Sequence, residues 1–193
     1  MRRTLALLCL LSSGACTRSS DPRLYTLVPA RGSASYASTG TVEVRRPTIA
    51  GYLDRREIVR AVLSERLELA SDANWAEPLD AMFGRVLAAD LALRLPNSQV
   101  FTDLNTLGAV SNSRIDLELQ RFEQGPDGLV LRALVALRRG SLSAPVAIEA
   151  IELKDSTTHR NTEAAVGAMN ALLAQLSDRI AAMLDQPVAA EPR

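Results

Sequence analysis

The chemically distinctive side chains are few: two cysteines, Cys9 and Cys16, one histidine, His159, and one tryptophan, Trp75. A protein zinc site draws most of its ligands from histidine and cysteine, and this inventory does not supply a set. His159 sits in DSTTHRN, a polar connection, and the serines are scattered with no GxSxG turn to present one as a nucleophile. No glycine-rich phosphate loop of the GxxxxGK or GxGxxG kind occurs. The sequence therefore predicts no enzyme, no metal and no cofactor. One nucleophile is left to explain, the Cys16 thiol, and its surroundings suggest a fate other than catalysis.

Met1-Arg2-Arg3 is followed by the apolar run TLALLCLL and then by Ser-Ser-Gly-Ala-Cys. The run is far shorter than the ~20 residues a spanning helix requires. A basic start, a short apolar stretch and small exit residues form the layout of a cleaved secretory signal. Gly14 and Ala15 directly before Cys16 resemble the bacterial lipobox, with Ser13 where an aliphatic residue is more usual. The alternative is an ordinary signal peptide with an incidental cysteine. Cleavage before Cys16 discards Cys9 and leaves one thiol, which can form no internal disulfide. A thioether to diacylglycerol accounts for that thiol, and with each buried CH₂ contributing ~0.8 kcal/mol, three acyl chains anchor the chain durably. Thr17 replaces the aspartate that favours inner-membrane retention, which points to an outer-membrane lipoprotein facing the periplasm.

The 193 residues less a 15-residue signal leave 178, enough for one domain with its own core. Basic and acidic residues balance at 22 each, so no excess of positive charge exists to hold a phosphate backbone, and nucleic acid is not an expected partner. Hydrophobic residues at 47% exclude a mostly disordered chain. Aromatics at 4% leave the core to aliphatic side chains.

The elements that would position any site follow from periodicity. Residues 16–23 read as a lipidated tether, 24–186 as one domain and 187–193 as a flexible tail. LYTL (24–27) is a first strand, and ARGSASYASTG (30–40) is a loop. Thr41–Arg45 alternates with Val42 and Val44 on one face. Ile58–Leu63 and Leu67–Leu69 read best as a hairpin, although SERLEL is also tolerable as helix. A helix starts at Pro78, where a missing amide costs nothing, and Leu79, Met82, Phe83, Val86, Leu87 and Leu93 keep its period until Pro96. Ser98–Phe101 and Ile115–Gln120 are strands. GPDG (125–128) turns into the strand LVLRALVALRR, and Val146–Leu153 adds another. Asn161–Gln186 is a second helix, whose stripe Val166, Met169, Leu173, Leu176, Ile180 and Met183 suits docking on a sheet better than a coiled coil. The expected architecture is α+β: a single domain with a mixed or antiparallel sheet covered by two long amphipathic helices.

Three groups of residues on these elements have both a structural and a functional reading. Asp90 falls inside the apolar arc of the first helix, either as a surface partner of Arg94 one turn on or as a buried polar contact across a subunit boundary. Asp54-Arg55-Arg56-Glu57 is a solvated turn with local ion pairs, or part of a binding surface. Trp75, in ASDANWAEPLD just ahead of the helix, is a core residue or an interface anchor.

Taken in order, LYTL, VEVRRPTIAGYLDRREIV and LELASDANWAEPLDAMFGRVLAADLALRLP resemble the PqiC family of ABC-type transport auxiliary lipoproteins. Pro47, Tyr52 and Leu53 match a Pro-x-x-x-x-Tyr-Leu segment of that family. Trp75, Pro78 and Leu79 match the Trp-x-x-Pro-Leu motif that opens its long helix, and the closing helix matches as well. The resemblance implies a non-enzymatic outer-membrane lipoprotein that works with an MCE-domain protein and its ABC or inner-membrane complex in phospholipid transport, as a homo-oligomer. It implies that Cys16 carries the lipid, palmitate among its acyl chains. Tyr52, Asp54, Arg55, Arg56 and Trp75 are then expected at an interface with a neighbouring copy or the MCE partner. The rival expectation is a periplasmic carrier or chaperone lipoprotein that itself encloses an acyl chain.

Overall fold

A computed structural model describes residues 21–63, 65–103, 110–140 and 144–186. The expectations for the signal peptide, Cys16, the start of the tether and residues 187–193 lie outside the described residues. The elements are β1 (Arg23–Tyr25), β2 (Gly40–Val44), β3 (Thr48–Ile49), β4 (Glu57–Leu63), β5 (Arg66–Trp75), α1 (Leu79–Arg94), β6 (Ser98–Thr102), β7 (Ser113–Gly125), β8 (Gly128–Arg139), β9 (Ala147–Asp155) and α2 (Thr162–Asp185). They form a single α+β domain, a nine-stranded open mixed sheet with two helices.

The thirteen-residue strand β7 is the spine. One of its edges continues as an antiparallel meander through β8 to β9. The other edge is covered by three successive segments of one chain run, all parallel to it: β2 opposite residues 113–115, β3 opposite 118–119, and β4 at the single register Arg60–Gln124. β6 lies parallel outside β2, β5 antiparallel outside β4, and β1 parallel outside β5. Pairing β2 with β6 in parallel demands a crossover, and that connection carries α1.

Local sequence explains these elements well. Val42 and Val44 are both buried, as their alternation requires. In β7, Ile115, Leu117 and Leu119 face the core, then Gln120 is inserted without a partner: Leu119 pairs with Ala133 and Arg121 with Arg132. This bulge shifts the alternation by one, so Phe122 rather than Arg121 turns inward and meets Phe83 of α1 edge to face, ring centres 5.5 Å apart. At the β7–β8 turn, Gly128 has φ +110°, and a Cβ there would lie 2.0 Å from the Asp155 carbonyl oxygen, so only glycine fits.

Both helices lie with their apolar faces inward. Asn161 caps α2 by accepting the Ala164 amide, and Val166, Met169, Leu173, Leu176, Ile180 and Met183 are all buried. The expected period of α1 needs correction at one residue. Leu93 is 47% exposed, and the inward arc is Leu79, Met82, Phe83, Val86, Leu87, Asp90, Leu91 and Arg94. Two charged residues thus occupy core positions. Trp75 also lies elsewhere than expected: it closes strand β5 rather than standing in the connection before the helix.

Candidate interaction surface

The charge run lies on the turn between β3 and β4. Asp54, Arg55 and Arg56 are exposed, and among the described residues no ion pair joins them. The expected local pairs of this turn are therefore absent there, and backbone bonds shape it instead. The Leu53 and Asp54 amides donate to Ala50 and Gly51 carbonyls, and the Arg55 amide to the Leu53 carbonyl. Asp54, Arg55 and Arg56 stand at the surface, with Asp54 close enough to Arg46 to act on its charge.

Tyr52 fastens this turn to the sheet. Its hydroxyl donates to Glu123 Oε2 at 2.7 Å, and Glu123 is only 2% exposed. The same oxygen accepts the Phe122 amide at 2.9 Å, and Arg121 Nε donates to Oε1 at 2.8 Å. A buried carboxylate must be paired to be tolerated, and here a phenol, an amide and a guanidinium supply the pairing. Burial, then the bond to Glu123, pushes the Tyr52 hydroxyl pKa well above its ordinary value. It stays a neutral donor throughout the physiological range.

Trp75 meets the same turn by its backbone, the amide donating to the Arg56 carbonyl at 2.7 Å. Its indole is 5% exposed within the chain's own core. Of the residues expected at an interface, the fold therefore gathers all five at one place but presents only Tyr52, Asp54, Arg55 and Arg56 outward.

A second polar group joins the two helices beneath the 30–40 loop. Arg94, fully buried, donates Nε to Asp178 of α2 at 2.6 Å, Nη1 to the Ala30 and Asp90 carbonyls, and Nη2 to the Ala174 carbonyl. The Asp90 carboxylate accepts the Ala30 amide at 2.7 Å and the Ser177 hydroxyl at 3.1 Å. Asp90 is thus neither a surface partner of Arg94 nor a contact between subunits. It is buried within one chain, and Arg94 pairs with Asp178 instead. Burial pushes the Asp90 pKa up, opposed by the bonds from Ala30 and Ser177. Gly32 allows the strap to lie on this cluster, since a Cβ there would stand 2.5–2.8 Å from Asp178 and Arg94. Sequence reasoning singled out Asp90 but missed Asp178, Ser177 and Glu123. The available signal was that Asp90 and Arg94 continue an apolar i, i+3, i+4 arc, which predicts burial and so a partner on the facing helix.

His159 bonds Asp155 at 3.0 Å, and its carbonyl accepts from Gln124, so it secures the connection into α2. Among the described residues no group of three His, Cys, Asp or Glu side chains is placed to hold a metal. No described helix is long and apolar enough to cross a membrane.

The model of the family described as ABC-type transport auxiliary lipoprotein component matches residues 25–181. The chain belongs to this family. Among solved structures, the auxiliary lipoprotein is similar to a Xanthomonas campestris protein of the DUF330 family, at 16% identity and TM-score 0.69, covering 84% of this chain and 95% of that one. It is also similar to an uncharacterized protein at 18% identity and TM-score 0.67, covering 81% of this chain and 99% of the other. At these identities the likeness concerns the fold alone. No curated protein matches the chain in sequence.

Proposed function

We propose that this auxiliary lipoprotein is a non-enzymatic outer-membrane subunit of an MCE-type phospholipid transport system, anchored through Cys16 and docking the periplasmic MCE component. The observation that carries a docking role over a carrier role is the filled interior. Leu173, Leu176, Ile180, Phe83, Leu87 and Leu91 fill the space between helices and sheet, each buried. Depressions of about 370, 470 and 480 Å³ lie around the β4–β5 hairpin and the start of α2, each open to the surface and lined in part by charged or polar side chains, the last by Leu63 and Leu67 as well. A carrier must enclose an acyl chain in an apolar cavity.

The docking surface in this reading is the turn holding Tyr52, Asp54, Arg55 and Arg56. Arginine and tyrosine concentrate binding energy at interfaces, and loops fastened to a rigid sheet present them without disturbing the core. Reversing Arg55 and Arg56 to glutamate leaves folding intact, since exposed charges contribute under ~1 kcal/mol, but places like charges where unlike ones meet at the interface. Light scattering of the domain lacking residues 1–16, together with capture of the MCE partner, tests this. Unchanged assembly mass and unchanged capture in the double variant would return the turn to a solvated surface. Genes for an MCE protein and an ABC permease beside this one would support the reading independently.

A further inference from the structure

The β4–β5 hairpin outruns the sheet it belongs to. β4 is ladder-paired with β7 only at Arg60–Gln124, Ala61 lies beside Gly125, and β7 ends there. β1 flanks β5 only at residues 73–75. Between Ala61 and Leu69 the hairpin is therefore a two-stranded arm with no further strand beside it among the described residues. Its two faces differ in character. Arg60 opposite Glu68, with Arg66 paired to Glu68 at 3.0 Å, forms the polar face. Ala61 opposite Leu67, with Leu69 next along β5, forms the other. Leu63, beyond an irregularity in the pairing and opposite Arg66, stands at the tip and lines one depression with Leu67, and Leu67, Leu69 and Leu63 are 44%, 48% and 55% exposed. Exposed apolar groups clustered on one face mark a contact surface.

What meets that surface follows from where the chain leaves the described domain. Asp21 lines a depression with Arg60, Ser71 and Asp72, at the base of the arm. Five peptide steps separate Asp21 from Cys16, so the lipid attachment point lies within ~18 Å of it. Leu67 precedes Ser71 by four strand residues, a span of ~13 Å. The arm and the anchor are thus within reach of one membrane surface. Taking Cys16 as the attachment point of the lipoprotein, we infer that the leucine face of the β4–β5 arm seats in the headgroup–acyl boundary of the bilayer that holds the anchor. The domain then stands on two points, a covalent lipid and an apolar arm, and its orientation over the membrane is set.

The test uses the mature lipoprotein in vesicles of phosphatidylethanolamine and phosphatidylglycerol. With Cys16 consumed in its thioether, Leu67→Cys supplies the free thiol for an environment-sensitive fluorophore, and Leu63→Cys repeats it at a second exposed position. Ile148→Cys is the control. It is apolar and 61% exposed, and lies seven strand residues (~23 Å) from Asp155, the end of β9 that abuts the β7–β8 turn beside Ala61. The expected result is a blue shift at both arm positions, and several-fold stronger quenching than at Ile148 by lipids brominated high on the acyl chain. Co-flotation with vesicles reads the anchor separately. Flotation with equal quenching at all three positions overturns the arm alone, and a protein that does not float overturns the anchor and the inference together. A shift without quenching that vanishes at about one protein per vesicle would assign the arm to a second copy, and also overturns it.

Discussion

Arg94 has no exposure to solvent, and its three nitrogens reach α2, the 30–40 strap and the carbonyl one turn back on its own helix. Removing one member of such a group is costly because the others remain buried without partners. Arg94→Ala is expected to destabilise by about 3–5 kcal/mol, nearer the lower figure because Asp178 keeps some contact with water. Urea denaturation measures this, and a loss under ~1 kcal/mol would mean that water replaces the guanidinium. Asp90→Asn has the opposite expectation. Its carbonyl oxygen still accepts the Ala30 amide, and its amide donates to Ser177 Oγ while Ser177 donates to the Leu173 carbonyl, so every group keeps a partner. Because burial raises the Asp90 pKa, the native state resists ionising it. Wild-type stability therefore falls as pH rises from the ordinary carboxyl value, about 4, to the raised one. The asparagine variant is expected to equal or exceed wild type at pH 7, and to lose that advantage below about pH 4. A variant less stable than wild type at pH 7 would show that the ionised carboxylate is needed.

Among the elements, α2 lies most plainly in the sequence and has the sharpest consequence. Its apolar stripe recurs at 3 and 4, Asn161 caps it, and Leu173 at the centre of the stripe has no exposure. Leu173→Asp places an unpaired carboxylate against the sheet, at a cost of several kcal/mol. A fall of several degrees or more in melting temperature, or failure to fold, is expected, and a change within a degree or two would contradict the observed packing. The strands β2, β8 and β9 were legible for the same reason, a period of two that one buried face enforces. What was not legible depends on partners. The bulge at Gln120 is an extra residue of β7 with no counterpart on β8, visible only once the two strands are paired, and Leu91 rather than Leu93 faces inward because 3.6 residues per turn places it above Leu87.

At the scale of the whole molecule, the proposed anchor at Cys16 has a direct test. Labelled palmitate is expected to enter wild type and not Cys16→Ser, and the labelled protein is expected to fractionate with the outer membrane. Equal labelling of both proteins would remove Cys16 as the attachment point. The α+β class and the pair of covering helices were readable from periodicity, but the strand order was not, since parallel partners leave no local signature. Tyr52 was noticed for its type at an exposed turn. Its fastening to Glu123 was hidden because Glu123, beside the inward Phe122, reads as the outer half of the strand, and its burial comes from Tyr52 and Arg121 packing over it on that outer face.

The arrangement of β2, β3 and β4 along β7 also bears on how the chain is made. Val42 finds its partner at Ser113, and Thr48 at Glu118, whereas β7, β8 and β9 are neighbours in sequence. Loops of that length close slowly, and local pairings form first. A chain exported amino end first delivers β2, β3 and β4 before the strand they lie against exists outside the cell membrane. Until β7 arrives, β2, β3 and β4 each keep an unpaired edge and α1 lacks the Phe122 it packs against, a state prone to aggregation. If the chain is exported through its amino-terminal signal as proposed, translocation is the interval in which it would depend most on holding factors, and the arrival of β7 would shorten that dependence.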